Sequence, residues 1–251
     1  MTIERIYEFL NQKFPVNTAA DYDNPGLLIG DKTADVKSAV LALDCTRDAI
    51  ATATENGAKL IITHHPVIFK GLKSVKKGDI VYTLIENGIS VISMHTNLDV
   101  AQNGVNDALC SALELRKVEA VTGYDGFSFR VGCLKEEMTS DDFAAYVGLK
   151  LDTAVKYVGE ERVKKIAVCG GSGSDFLSDA IALGCDALVT SEVKHNLFLT
   201  AAENGFTLID AGHFPTEDVI IEPLKALLEK EFPDVAFISD HTSRIKVCIN
   251  L

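Results

Sequence analysis

Two hydrophobic rhythms run along the chain. Ile3, Ile6, Leu10 and Phe14 recur at helical spacing and predict an amphipathic helix over 2–14, stopped by Pro15. Short apolar runs come next at 36–43, 58–63, 89–94, 127–134, 164–169, 187–190 and 206–209, and each predicts a strand. Two more strands are expected at 235–238 and 245–249. Between the runs, 47–56, 80–87, 104–113, 140–149, 175–183, a segment ending at 204, and 215–230 predict helices. Gly57 and Gly88 are placed as helix C-caps and Asp79 as an N-cap. Such alternation predicts an α/β protein with mixed sheets flanked by helices. A break near Gly123-Tyr124-Asp125-Gly126 divides it into an expected first half, 1–123, and second half, 124–251.

The halves repeat. Gly57-Ala58-Lys59-Leu60-Ile61-Ile62-Thr63 matches Gly184-Cys185-Asp186-Ala187-Leu188-Val189-Thr190 at an offset of 184 − 57 = 127. Glu86-Asn87-Gly88-Ile89 matches Glu203-Asn204-Gly205-Phe206 at 203 − 86 = 117. One register step on, His95-x-x-x-Asp99 meets His213-x-x-x-Glu217, since 213 − 95 = 118 and 217 − 99 = 118. The repeat implies two similar α/β halves made by internal duplication.

Candidate chemistry collects just after the strands. The run 60–63 ends in His64-His65-Pro66, where the proline holds His65 extended. A strand running out into a loop lets both imidazoles flank one space; a hydrogen-bonded pair in a turn is the competing reading. His95, Asp99, His213 and Glu217 also come after strands, the place where open α/β sheets build their sites. Five ligands, His64, His65, Asp99, His213 and Glu217, suit two metal ions and leave coordination positions open for water. His95 is a ligand, a group orienting Asp99, or a general acid/base and so the candidate catalytic residue. Imidazole and carboxylate together do not choose among zinc, iron, manganese and nickel.

Asp23 and Asn24 sit in a turn over 20–26 and are either site-facing or plain turn residues. Gly170-Gly171-Ser172-Gly173-Ser174 lacks the lysine of a nucleotide-binding loop and reads as a tight strand-to-helix turn. Lys70, Lys73, Lys76 and Lys77 form a basic loop that either attracts an anion or is simply solvated.

Composition narrows the function classes. A formal net charge of −12 over 251 residues argues against a nucleic-acid partner, but a small anionic substrate held by metal remains compatible. No apolar run approaches the ~20 residues that span a bilayer, and Met1 to Tyr7 shows no basic-then-apolar leader. The six cysteines are scattered, which suits reduced thiols in a cytoplasmic protein.

Five segments together, Asp23-Asn24-Pro25-Gly26-Leu27, Ile62-Thr63-His64-His65-Pro66, His95-Thr96-Asn97-Leu98-Asp99-Val100, Cys169-Gly170-Gly171-Ser172-Gly173 and Gly212-His213-Phe214-Pro215-Thr216-Glu217, resemble the Nif-three-like family. The likeness runs over essentially the whole chain. It implies two similar α/β halves with a dinuclear metal site between them, and His64, His65, Asp99, His213 and Glu217 match the metal ligands, with Glu217 as the bridge. It also implies a toroidal homohexamer. Bacterial members are often labelled type 2 homologues of GTP cyclohydrolase 1, and some carry an inserted domain for which this chain is too short. Thr190-Ser191-Glu192 departs from the family's frequent Thr-Gly-Glu. The activity expected is metal-dependent hydrolysis of a nucleotide-like or phosphorylated small molecule. The alternatives are a non-catalytic metal-binding or chaperone-like protein and an oligomeric scaffold.

Overall fold

The computed structural model describes residues 1–123 and 126–246. Tyr124 and Asp125 of the expected break, and residues 247–249 of the last expected strand, lie outside them. The strands, numbered along the chain, are β1 (Gly26–Ile29), β2 (Ser38–Ala42), β3 (Leu60–Thr63), β4 (Ser90–Ser93), β5 (Arg116–Thr122), β6 (Ser128–Thr139), β7 (Lys156–Val158), β8 (Arg162–Val168), β9 (Ala187–Thr190), β10 (Thr207–Asp210) and β11 (Ala236–Asp240).

The chain divides into two compact units. The first comprises Met1–Ala101 and Ile221–Thr242, and the second comprises Gln102–Ile220 and residues 243–246. The expected halves, 1–123 and 124–251, are therefore drawn differently. β11 pairs in parallel with β2, from Ala236↔Ser38 to Asp240↔Ala42, and this ladder brings a late segment into the first unit.

In the first unit the sheet order is β1-β4-β3-β2-β11. β2, β3 and β4 are mutually parallel, and β1 closes the edge antiparallel to β4. The three parallel strands are buried almost throughout, as a sheet covered on both faces requires. Ile50 and Ala53 of helix Arg47–Glu55, with Val81 and Leu84 of helix Ile80–Glu86, pack against Val40, Ile61 and Val91. Each such valine, leucine or isoleucine side chain contributes roughly 1.5–3 kcal/mol when fully buried. Helix Ile3–Lys13 buries Ile3, Ile6 and Leu10, as its spacing predicts, and Thr2 caps it by accepting from Arg5 N–H.

The second unit holds the order β5-β6-β8-β9-β10-β7. β8, β9 and β10 run parallel, β7 is antiparallel to β10, and β6 is antiparallel to β8. Ile166 and Val168 face one core with Phe143 and Val147; Ala167 between them faces the other, with Phe129 and Phe176.

Three parallel strands with an antiparallel edge strand on the third recur in both units, in the same order. The register agrees as well. Ala39 pairs Leu60 in β2 and β3, and Ile166 pairs Ala187 in β8 and β9, so both strands shift by 127 (166 − 39 and 187 − 60). The units differ at the other edge, where β11 is parallel and β6 antiparallel.

β1, β5 and β7 were not expected from the hydrophobic pattern. All three lie at sheet edges, and edge strands carry weak alternation: β5 is exposed along nearly its whole length and β7 has 3 residues. Asp79 precedes helix Ile80–Glu86 but makes no side-chain cap; its Oδ2 accepts from Lys76 N–H instead. The expected helix over 215–230 is broken into His213–Glu217, a 3-10 turn Asp218–Ile220, and Ile221–Glu231. Pro215 is thus third in its helix rather than first. Cys45, Cys110, Cys133, Cys169 and Cys185 are free thiols, as expected, and no described helix is long and apolar enough to cross a membrane.

Candidate metal centre

In the first unit the carboxyl ends of β2, β3 and β4 lie side by side and carry Asp44, His64-His65 and His95 in turn. His64 is buried, and its Nδ1 lies 2.8 Å from the Met94 carbonyl oxygen. Nδ1 of His65 is 2.8 Å from Asp44 Oδ1. Nδ1 of His95 is 2.8 Å from Asp23 Oδ1. Carbonyl and carboxylate oxygens only accept, so each ring donates from Nδ1 and, in its neutral form, presents the Nε2 lone pair. The three rings stand 5.0, 5.1 and 5.5 Å apart between centroids, and a ligand nitrogen from each lies within 4.8 Å of the others. Asp99 adds a carboxylate, with Oδ1 3.4 Å from His64 Nε2.

The turn carrying His95 and Asp99 is itself held. Asn97, fully buried, accepts from His95 N–H at 2.9 Å and donates to the Phe14 carbonyl at 2.7 Å. Asp23 Oδ2 accepts from the Thr96 N–H and hydroxyl. Burial alone raises the Asp23 pKa, but the hydrogen bonds from His95 and Thr96 outweigh it and bring it down to about 2. Asp23 is therefore site-facing as well as a turn residue. The helix Thr96–Val100 that places Asp99 was not visible in the sequence; it has 5 residues, too few for a period.

In the second unit, helix His213–Glu217 sets its two end residues on one face at i, i+4, with His213 Nε2 3.0 Å from Glu217 Oε2. Nδ1 of His213 lies 2.8 Å from Glu192 Oε1, so this imidazole too presents Nε2 forward. Glu192 holds φ +55, a left-handed conformation rare for glutamate and of the kind stored at functional sites. Gly171 has φ +60, and a Cβ there would stand 2.0 Å from Glu217 Oε1 and 3.2 Å from His213 Nε2. Only a glycine lets Glu217 lie where it does. The glycine-rich turn is accordingly a tight turn, as expected, and also a seat for a site carboxylate. Thr190 and Ser191 hydroxyls both donate to the Gly171 carbonyl, and Gly171 N–H donates to the Thr216 hydroxyl.

Every histidine singled out from the sequence is thus oriented through Nδ1 by an oxygen acceptor, as metal-ligating histidines are. His241 differs, engaging Glu222 through Nε2 at 3.0 Å, and His195 is exposed at the start of helix His195–Glu203. In the neutral rings the Nε2 lone pairs of His64 and His213 face carboxylate oxygens 3.4 and 3.0 Å away, and a cation held by both groups suits this donor set. Asp44 and Glu192, which orient His65 and His213, were not read as site residues. The sequence marks Asp44 by its place just past the end of the strand next to His64-His65, and Glu192 by its place 127 positions after His65.

The folds, the oriented imidazoles and the paired carboxylates define an α/β protein with histidine and carboxylate groups that could hold a metal ion. The chain belongs to the Duf34/NIF3 (NGG1p interacting factor 3) family, whose model matches residues 1–244. A Clostridium perfringens protein called GTP cyclohydrolase 1 type 2 homolog is 34% identical over 254 residues, covering 95% of each chain. A Staphylococcus aureus protein of the same name is 28% identical, covering 92% of this chain and 94% of its own. That alignment spans 345 positions against 251 residues here, so the relative carries segments this chain lacks. A crystal structure of a Staphylococcus aureus hypothetical protein superposes with TM-score 0.93 at 31% identity, covering 99% of both chains.

Proposed function

We infer that this protein is a metal-dependent hydrolase acting on a nucleotide-like or phosphorylated small molecule. The observation that carries the reading is the shared orientation of His64, His65, His95 and His213, each with Nδ1 2.8 Å from an oxygen acceptor and Nε2 presented to a ligand. His64, His65, Asp99, His213 and Glu217 would hold two divalent ions, zinc, iron, manganese or nickel. Ions so held supply Lewis acidity and an activated water near neutral pH. Asp23 fixes the His95 ring, so that His95 carries a proton between solvent and the reacting group. The names of the Clostridium and Staphylococcus relatives support a purine nucleotide as one substrate to try. The reading includes a homohexamer in the cytoplasm without nucleic-acid or membrane partners, and it takes the hexamer from the family resemblance.

Elemental analysis of reconstituted protein should return two ions per chain, and Glu217→Ala should lose both if the carboxylate bridges. The loaded protein should then turn over at least one of GTP, a dinucleotide or a generic phosphoester. His95→Ala should keep its metal and lose turnover by 100-fold or more. Metal without turnover of any of these would leave a non-catalytic metal-binding protein, and light scattering that gives a 27.1 kDa monomer would end the hexamer reading.

A further inference from the structure

The loop after His64-His65 carries bulky apolar side chains on its surface. Phe69 is 41% exposed, Leu72 50% and Val75 42%, beside a Tyr22 that is 69% exposed. Scattered apolar residues on a surface need no account, but two aromatic rings gathered at a site do. The Phe69 ring lies 6.0 Å from the His95 ring at an interplanar angle of 82°, and the Tyr22 ring lies 6.4 Å from Phe69. Asn24 Nδ2 donates to the Ile68 carbonyl at 2.6 Å, which ties the Tyr22 turn to the Phe69 loop. Asp23, between Tyr22 and Asn24, is the residue that orients His95. The same loop holds Lys70, Lys73, Lys76 and Lys77 with no acidic residue from 66 to 78, in a chain of net charge −12.

We propose that Tyr22 and Phe69 form an aromatic shelf that binds the planar heteroaromatic ring of a small anionic ligand beside His95, with the lysine loop attracting its charged group. Stacking on an aromatic face is available to any flat base. Phe69 and His95 stand edge to face with centroids 6.0 Å apart, so a base laid on the shelf lies beside the imidazole. The inference names the substrate class for the hydrolase reading and rests on it only for the chemistry, not for the binding.

Calorimetric titration of the metal-free, full-length protein tests it, with GMP as the ringed probe and ribose 5-phosphate as its ring-free counterpart. GMP should bind about tenfold or more tighter. Phe69→Ala and Tyr22→Ala should each remove at least threefold of that preference, while Phe69→Tyr and Tyr22→Phe keep it. Equal binding of the two probes, absence of measurable GMP binding, or an equal loss for both in Phe69→Ala would overturn the proposal. So would a Phe69→Ala variant of altered particle mass and unaltered preference, which would assign the ring to a contact between copies of the chain. Ring-dependent binding without turnover removes the hydrolase reading and leaves the shelf; turnover of ring-free phosphoesters without any preference does the reverse.

Discussion

The two units part ways just beyond their middle strands. After β3 stand His64 and His65; 127 positions on, after β9, stand Ser191 and Glu192. The backbone register of the flanking strands is the same, so the same places serve different ends. In the first unit they are imidazoles that present Nε2. In the second they are supports, Ser191 donating to the Gly171 carbonyl and Glu192 orienting His213. The exchange runs the other way one strand over. Asp44, which orients His65, corresponds at the same offset to Gly171, the space into which Glu217 fits. Duplicated units that share a frame can thus trade the presenting and supporting roles, and a motif search sees only the presenting side.

The largest effect should come at the residue with no room to change. Gly171→Ala forces a Cβ onto Glu217 from a left-handed backbone position and should cost about 3 kcal/mol or more in urea unfolding, along with whatever metal binding depends on Glu217. Gly57→Ala, at φ +63 but with nothing near its Cβ, should cost only about 1 kcal/mol. Similar losses at both positions would show that Glu217 is not seated by Gly171.

Next come the orienting carboxylates. Asp44→Ala and Glu192→Ala should each weaken metal binding about 10- to 100-fold while leaving ligand count unchanged. Glu192→Gly separates the two jobs of that residue, because it relieves the φ +55 strain and so should be neutral or slightly stabilising, yet lose metal affinity like the alanine variant. If competition with a chelator gives wild-type affinity for both alanine variants, the support roles are wrong.

The third test is one of pH. Asp23 has an ordinary value of 3.8 and about 2 in the fold, so its stabilisation is complete above about pH 4 and is lost as pH falls toward 2. It amounts to about 2 kcal/mol. Metal-free wild type should therefore lose stability between pH 5 and 2 more steeply than Asp23→Asn, and parallel curves would rule the linkage out. The smallest effect is Ser191→Ala, which removes one buried hydrogen bond to Gly171 and should cost about 1 kcal/mol. Cys45, which burial and the adjacent Asp44 push up to about 12, should stay unmodified by alkylating agents at pH 8.

Much of this was legible in the sequence because the parallel strands are buried on both faces. Val40, Leu41, Ile61, Ile62, Val91 and Ile92 are hydrophobic for one physical reason, and histidines come just after the last two of these strands. The edge strands were illegible because solvent on one side permits almost any residue, as the exposed Arg116–Thr122 shows. The supporting residues were illegible for another reason. Asp23 lies 72 positions from the ring it orients and Asp44 lies 21 positions from its own, and no local spacing encodes such a pairing. The division of the chain misled because the partner of β2 arrives only at Ala236.

That late arrival has a consequence for synthesis. The second unit has all its named strands once Asp210 is made, whereas the first, begun earlier, still has an open side along β2 until Asp240 is added. The nascent chain therefore carries an unfinished sheet edge through roughly two hundred residues of translation, an exposure of the kind that recruits holding factors and invites mispairing. Released chains truncated before residue 236 should yield a protease-resistant second unit and a digestible first one.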